Sequence, residues 1–267
     1  MKLEGNLRIL LIFLIFCWII LAIIFGFTDL EISKAIVNRE SDWARFGRDF
    51  GEGPGYGIIA ISLAIFLGSY NEDIKKQKIP GYVITLIGVF FFILGIIIVD
   101  LWYVLLGGSI MFSLIIFIIF TLNRDWTEFK TISIVIILLA IINPLIVVQL
   151  TKILSGRVRF YNLASDYSNY TPWFLPPGPS LKNDSFPSGH TAIGWMFLPL
   201  LIQVRERKWN DPVRILTALF VIGWGLFVAI SRVVIGAHYA SDVLFSTGVA
   251  VVATIWLYKR YYVDKHN

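Results

Sequence analysis

Long apolar runs alternate with short polar breaks along this chain. Eight runs stand out: Ile9–Thr28, Gly53–Tyr70, Ile79–Val99, Leu101–Leu122, Thr131–Thr151, Phe186–Val204, Ile215–Ser231 and His238–Tyr258. At about 1.5 Å per residue, most reach across a hydrocarbon core of about 30 Å, given tilt or short flanks. Lipid offers no partner for free backbone groups, so each is predicted to be helical. The expected fold is all-α, a polytopic transmembrane bundle forming one membrane-embedded domain over residues 1–267. Asp100 separates the third and fourth runs with almost no loop, which predicts a hairpin over 79–122. Asn143-Pro144 inside the fifth run predicts a kink. The first run is too long for a signal-peptide core and lacks a small-x-small cleavage site, so it is read as an uncleaved span.

The polar breaks assign sides. With the N-terminus inside, segments 1–8, 71–78, 123–130, 205–214 and 259–267 hold 14 of the chain's 23 Lys and Arg residues. The positive-inside rule then predicts cytoplasmic termini in a multi-pass protein of the cell membrane. In the first outer segment, 29–53, Trp43, Phe46 and Phe50 recur at helical spacing among Arg45, Arg48 and Asp49. This reads either as an amphipathic helix on the outer leaflet or as an ordinary polar loop that packs on the bundle. Gly51, Gly53, Gly55 and Gly57 with Pro54 mark a turn; a phosphate-binding loop is the weaker alternative, since no Gly-Lys-Ser or Gly-Lys-Thr follows. The long outer loop 160–186 carries Tyr161, Tyr167, Tyr170, Trp173 and Phe174. It is either a rim that guides a headgroup or an interfacial aromatic belt.

Composition agrees with the pattern. The chain is 57% hydrophobic and 15% charged, with mean hydropathy +0.75, too apolar for a soluble domain. The net charge of +5 comes from residues between apolar runs, so topology explains it better than nucleic-acid binding. Cys17 is the one cysteine, so no disulfide forms within the chain.

Candidate chemistry lies in three stretches. Ser231-Arg232-Val233-Val234-Ile235-Gly236-Ala237-His238-Tyr239-Ala240-Ser241-Asp242 puts ionisable groups at the edge of apolar runs, where they are costly. His238 and Asp242 share a face if a helix begins near His238. The other two are Phe186-Pro187-Ser188-Gly189-His190 and Lys152-Ile153-Leu154-Ser155-Gly156-Arg157-Val158-Arg159. Taken alone, the first also fits a membrane-edge turn with a snorkelling arginine and a satisfied buried histidine.

Together the three stretches resemble the signature of the type 2 phosphatidic acid phosphatase (PAP2) family, the lipid phosphate phosphatases. That signature runs K-x6-R-P, then P-S-G-H, then S-R-x5-H-x3-D. Lys152 and Arg159 keep the first spacing, Pro187 to His190 match the second, and Ser231, Arg232, His238 and Asp242 match the third. Phe160 stands where the family has proline. The resemblance implies a six-span core, which makes 79–122 an inserted hairpin in an N-terminal part, 1–130, ahead of catalytic spans over 131–258. It further implies that His238 attacks phosphorus, that Asp242 holds it, and that His190 protonates the leaving alkoxide and then activates water. Lys152, Arg159, Ser188, Gly189 and Arg232 would bind the phosphate, with Pro187 and Ser231 supporting the motifs.

His238 has a carboxylate at helical spacing, whereas His190 is expected to have none, its neighbours being Gly189 and Thr191. The remaining histidine, His266, is expected to play no part. The cations around His190, His238 and Asp242 suit an anion and would repel a metal ion, so no metal and no cofactor are expected. Counting spans puts all three motifs on the outer face. The function expected is hydrolysis of lipid phosphate monoesters or diphosphates, phosphatidate-like or polyprenyl, at the extracytoplasmic face. A phosphotransferase with the same intermediate, a non-enzymatic lipid transporter and, more remotely, a haloperoxidase are the alternatives. The expected partners are the lipid substrate and the bilayer, not nucleic acid; the sequence leaves the oligomeric state open.

Overall fold

The computed structural model describes residues 2–264, so His266 lies outside the described residues. Every regular element among them is helical, and seven helices are long and apolar enough to cross a membrane. The chain is therefore a polytopic helical bundle.

Helix α1 (Lys2–Ile36) runs two turns beyond the predicted end at Thr28. Asp29 is thus a buried residue of a helix, not the start of an outer segment. Helix α2 (Asp42–Phe50) has the amphipathic character its spacing predicts. Its buried residues are Ala44 and Gly47, and a Cβ at Gly47 would strike the Ser231 hydroxyl of α10 (Pro212–Val234). Trp43, Phe46 and Phe50 are 46%, 50% and 42% exposed. The helix therefore packs on the bundle and turns its aromatic side outward.

Helix α3 (Gly53–Gly68) begins in the glycine-rich stretch, with Pro54 in its first turn. The glycines serve helix packing here: a Cβ at Gly55 would strike Ile193. Helices α4 (Ile79–Ile98) and α5 (Leu101–Thr121) form the predicted hairpin. The Asp100 side chain caps α5 by accepting from the Trp102 and Tyr103 amides at 2.8 and 3.4 Å. Leu114 and Ile118 of α5 pack with Ala60 and Ala64 of α3 over the buried Trp126.

The fifth run is α6 (Lys130–Ala140), a π-helical stretch Ile141–Val148 and α7 (Gln149–Ser155). Pro144 has no amide to donate, and the hydrogen-bond ladder widens around it. Gly156 ends α7 at φ 56°, a left-handed conformation that favours glycine.

The sixth run departs from expectation. Instead of one helix, Phe186–Val204 contains α8 (Gly189–Gly194), a 3-10 turn Trp195–Phe197 and α9 (Leu200–Gln203). Its residues Thr191 to Pro199 are all buried. Broken backbone is tolerated at membrane depth where protein encloses it. The segment still runs the length of α11 (Ala240–Tyr258). Ser188, just before it, donates its amide to the Asp242 carbonyl near the start of α11 at 3.2 Å. Ile202, near its end, clusters with Leu257 near the end of α11. Helix α10 then returns from an Asp211 cap to the end where α11 begins. The apolar core (Val135, Leu139, Met196, Leu257) thus lies away from the motifs, which gather at one end.

Candidate active site

The linker between α10 and α11 is wound tightly. The Arg232 carbonyl accepts from the amides of both Ala237 and His238, at 3.1 and 3.2 Å. Gly236 makes the turn at φ 75°. His238 sits in this linker, one residue before the Tyr239 cap of α11, not on the helix as the spacing suggested. Its Nδ1 lies 2.6 Å from the Ser185 carbonyl oxygen and 3.6 Å from Asp242 Oδ2. A carbonyl can only accept, so Nδ1 carries the proton and Nε2 keeps its lone pair. Burial, with Arg232 and Lys152 nearby, pushes the His238 imidazole down to about 4, against the opposing pull of Asp242.

Asp242 is held mainly by other partners. It accepts from Arg157 Nη1 at 2.6 Å, from the Ser185 hydroxyl at 2.6 Å and from the Tyr239 amide at 2.9 Å. Arg157 is wholly buried. It also donates to Asp29 at 2.9 Å, to the Ser241 hydroxyl at 2.9 Å and to the Thr171 carbonyl at 2.9 Å. Its guanidinium lies 3.9 Å from the Tyr239 ring centroid. Ser241 donates both its amide and its hydroxyl to Asp29. Helix α1 is thereby tied into the site. Sequence reasoning passed over Arg157, Asp29 and Ser185; the signal available was an acid and an arginine at the ends of apolar runs.

The cations converge from three elements. Lys152 of α7 and Arg159 both reach Asp184 Oδ2, at 3.4 and 2.7 Å. Burial alone would raise the Asp184 carboxyl, but these two neighbours hold it below the ordinary carboxylate range. Arg159 also donates to the Tyr161 hydroxyl at 2.6 Å. The turn that lacks the family's proline is tied elsewhere: the Tyr161 amide donates to the Gly236 carbonyl at 3.2 Å, and Phe160 stacks on Tyr167. Arg232 is 3% exposed. Among the described residues its Nε and Nη1, and the Nε of Arg159, have no hydrogen-bond partner. A cavity of about 510 Å³ opens onto Arg159, Tyr161 and Arg232, walled on its far side by Arg39, Arg45 and Arg48.

The second motif lies beneath these cations. Pro187 follows a cis peptide bond. Ser188 is buried, and its hydroxyl caps α8 by accepting from the Thr191 amide and hydroxyl at 3.3 and 3.0 Å. Gly189 opens the helix close to the Lys152 ammonium, which would lie 3.9 Å from a Cβ placed there. Ser231 donates to the Val228 carbonyl at 2.7 Å and packs against Gly47, so it holds α2 in place. His190 lies within electrostatic reach of Arg232, His238 and Lys152.

One expectation about His190 is overturned. It has a carboxylate partner: Glu52 Oε1 stands 3.0 Å from its Nδ1. The Tyr56 hydroxyl donates to the other Glu52 oxygen at 3.1 Å. The sequence neighbours Gly189 and Thr191 could not show this, because Glu52 arrives from the start of α3. Two further cavities meet here. One of about 190 Å³ joins His190 and Glu52 to Trp102 and Leu105 of α5. The other, about 470 Å³ and mostly apolar, runs from Glu52, Tyr56 and Gly189 past Ile59 to Ile141 and Leu145. The aromatics of the 160–186 loop split. Trp173 and Phe186 pack on Phe245 with centroids 4.6 and 4.7 Å away, while Tyr161 and Tyr170 face the arginines.

Comparison with known proteins follows this geometry. A stretch of 69 residues is 39% identical to phosphatidylglycerophosphatase B of Haemophilus influenzae. The stretch covers 25% of this chain and 28% of that protein, so the match spans under a third of the relative's length. No solved structure matches. Residues 133–265, which hold all three motifs, match the family model of the PAP2 superfamily, and the chain belongs to that family.

Proposed function

We propose that this protein is a membrane-embedded phosphatase of lipid phosphates, working through a phosphohistidine. The observation that carries this reading is the buried, unpartnered N–H groups of Arg159 and Arg232, which line one cavity, together with His238, whose Nδ1 is committed to the Ser185 carbonyl, and His190, whose Nδ1 faces Glu52. Unpaired buried donors are costly, and a tetrahedral oxyanion satisfies several at once.

In the first step His238 Nε2 attacks phosphorus. The P–N bond forms as the bond to the lipid oxygen breaks, and His190 gives its proton to the departing alkoxide. In the second step water attacks the phosphohistidine. His190 takes the water proton, and inorganic phosphate leaves with His238 restored. Lys152, Arg159 and Arg232, with the Ser188 hydroxyl and the Gly189 amide, spread the charge of the equatorial oxygens. Asp242 and the Ser185 carbonyl steady the ring as it becomes cationic. The role played elsewhere by a metal ion falls to these cations.

The substrate is an amphiphile. The apolar cavity that begins at Gly189 and Glu52 suits an alkyl chain, while the arginine-walled cavity suits its charged head. Phosphatidate, phosphatidylglycerophosphate and polyprenyl phosphates or diphosphates all have this form. The site faces the extracytoplasmic side, by the lysine and arginine bias of the opposite loops. Purified protein assayed for phosphate release against such a panel tests the reading. Lipid phosphates should be hydrolysed well and water-soluble sugar phosphates poorly; soluble phosphates outcompeting the lipids would overturn it.

A further inference from the structure

We propose that Glu52 is the positioning residue that favours a proton on His190 for its work as general acid, an inference that rests on the phosphatase reading above. The Glu52–His190 pair joins two parts of the chain that no local pattern connects. Gly55 lets α3 approach the backbone of Ile193 so closely that a Cβ there would clash with it. This contact sets the start of α3 against α8, the short helix that carries His190, and so places Glu52 beside His190. The Tyr56 hydroxyl, one turn along α3, fixes the second Glu52 oxygen at 3.1 Å. The carboxylate is therefore held from both sides, with 17% of its side chain exposed and 29% of the histidine's.

The need for this carboxylate follows from the other groups that face His190. Arg232 from α10 and Lys152 from α7 are both within electrostatic reach, as is His238 from the linker, and the Arg48 carbonyl of α2 lies against the ring. Burial foremost, and then Arg232, His238 and Lys152, oppose a proton on the very residue that must donate one. Glu52 is the acid in contact with the ring, and it favours the imidazolium that Lys152 and Arg232 disfavour. Its contact with the ring is at Nδ1, 3.0 Å away. His190 then works as an acid toward a lipid alkoxide, a leaving group too basic to depart without a proton. Toward nitrophenolate, which departs unaided, the same proton matters little.

The test uses Glu52→Gln, which keeps the side chain's size and shape and removes its charge. With phosphatidate in mixed micelles, kcat should fall about 10–100-fold, while the nitrophenolate burst from p-nitrophenyl phosphate should slow by less than about threefold. The alkaline limb of kcat/KM for phosphatidate should move to lower pH, because a protonated acid that loses its carboxylate gives up its proton sooner. Glu52→Asp should recover part of the loss. Equal losses on both substrates with an unmoved limb would overturn the inference, since a merely structural role predicts that outcome. The titration of the His190 ring by nitrogen NMR, assigned with His190→Gln, separates this idea from the phosphatase reading. A ring that titrates lower in Glu52→Gln supports the pair even if phosphatidate is not hydrolysed by the wild type. An unshifted titration refutes it whatever the wild type hydrolyses.

Discussion

Arg157 donates to Asp242 at 2.6 Å from a position with no solvent exposure, and the same guanidinium reaches Asp29 of α1 at 2.9 Å. This pair fixes the carboxylate beside His238 before any substrate arrives. Removing one partner of a buried ion pair leaves an uncompensated charge, at a cost of about 3–5 kcal/mol. Arg157→Leu should therefore lower thermal stability sharply in detergent, and Asp29→Asn should lower it less. Wild-type stability in Arg157→Leu would show that the network does not hold α1 to the site.

Asp184 occupies Lys152 and Arg159 together. A phosphate must share or take over these donors. Asp184→Asn, which weakens the competing anion, should lower KM for lipid phosphate and tighten inhibition by vanadate, with little change in kcat. A rise in KM would mean that Asp184 orients the cations more than it competes for them.

The acid side of the pH profile follows from His238. In the proposed mechanism its free base is the nucleophile, and burial holds its proton affinity well below that of an ordinary histidine, at about 4. A lowered histidine pKa leaves the neutral ring dominant above that value, so kcat/KM should hold through pH 6 and fall only as the medium approaches the shifted value. A limb at the ordinary histidine position, read in initial rates across pH, would contradict this account of the linker.

Topology makes a separate prediction. Cysteines placed in the 160–180 loop should react with an impermeant thiol reagent in intact cells, and cysteines near Trp209 should not. Activity should also survive thorough chelation if, as proposed, Lys152, Arg159 and Arg232 fill the role of a phosphate-binding cation. Reversed labelling would invert the membrane orientation, and rescue of chelated enzyme by a divalent ion would replace the all-cation account.

How much of this was legible in the chain depends on distance along it. The three motifs are local spacings that resemble a family signature, so Lys152, Arg159, His190, Arg232, His238 and Asp242 could be singled out from the chain, and the structure gathers them at one end of the bundle. The hairpin at Asp100 was legible because a single polar residue between two apolar runs leaves no other path. Glu52 and Asp29 were not, since each meets its partner across most of a fold that no local pattern encodes. The broken segment after His190 was hidden for another reason. Hydropathy reports that Phe186–Val204 is apolar, but not that its neighbours enclose it and so let its helix lapse. The helix was likewise expected to include His238, whereas the turn at Gly236 delays its start to Ala240.

In the proposed mechanism His238, with Nδ1 committed to the Ser185 carbonyl, accepts the phosphoryl group on Nε2. The direct measurement is trapping of the phosphoenzyme by rapid acid-free quench after mixing with a lipid phosphate labelled on phosphorus. Wild type should carry label on His238, and His238→Ala should carry none. His190→Ala should still label from a substrate with a nitrophenolate leaving group, and it should lose its label slowly. Label retained in His238→Ala, or label absent from His190→Ala with that good leaving group, would contradict the account.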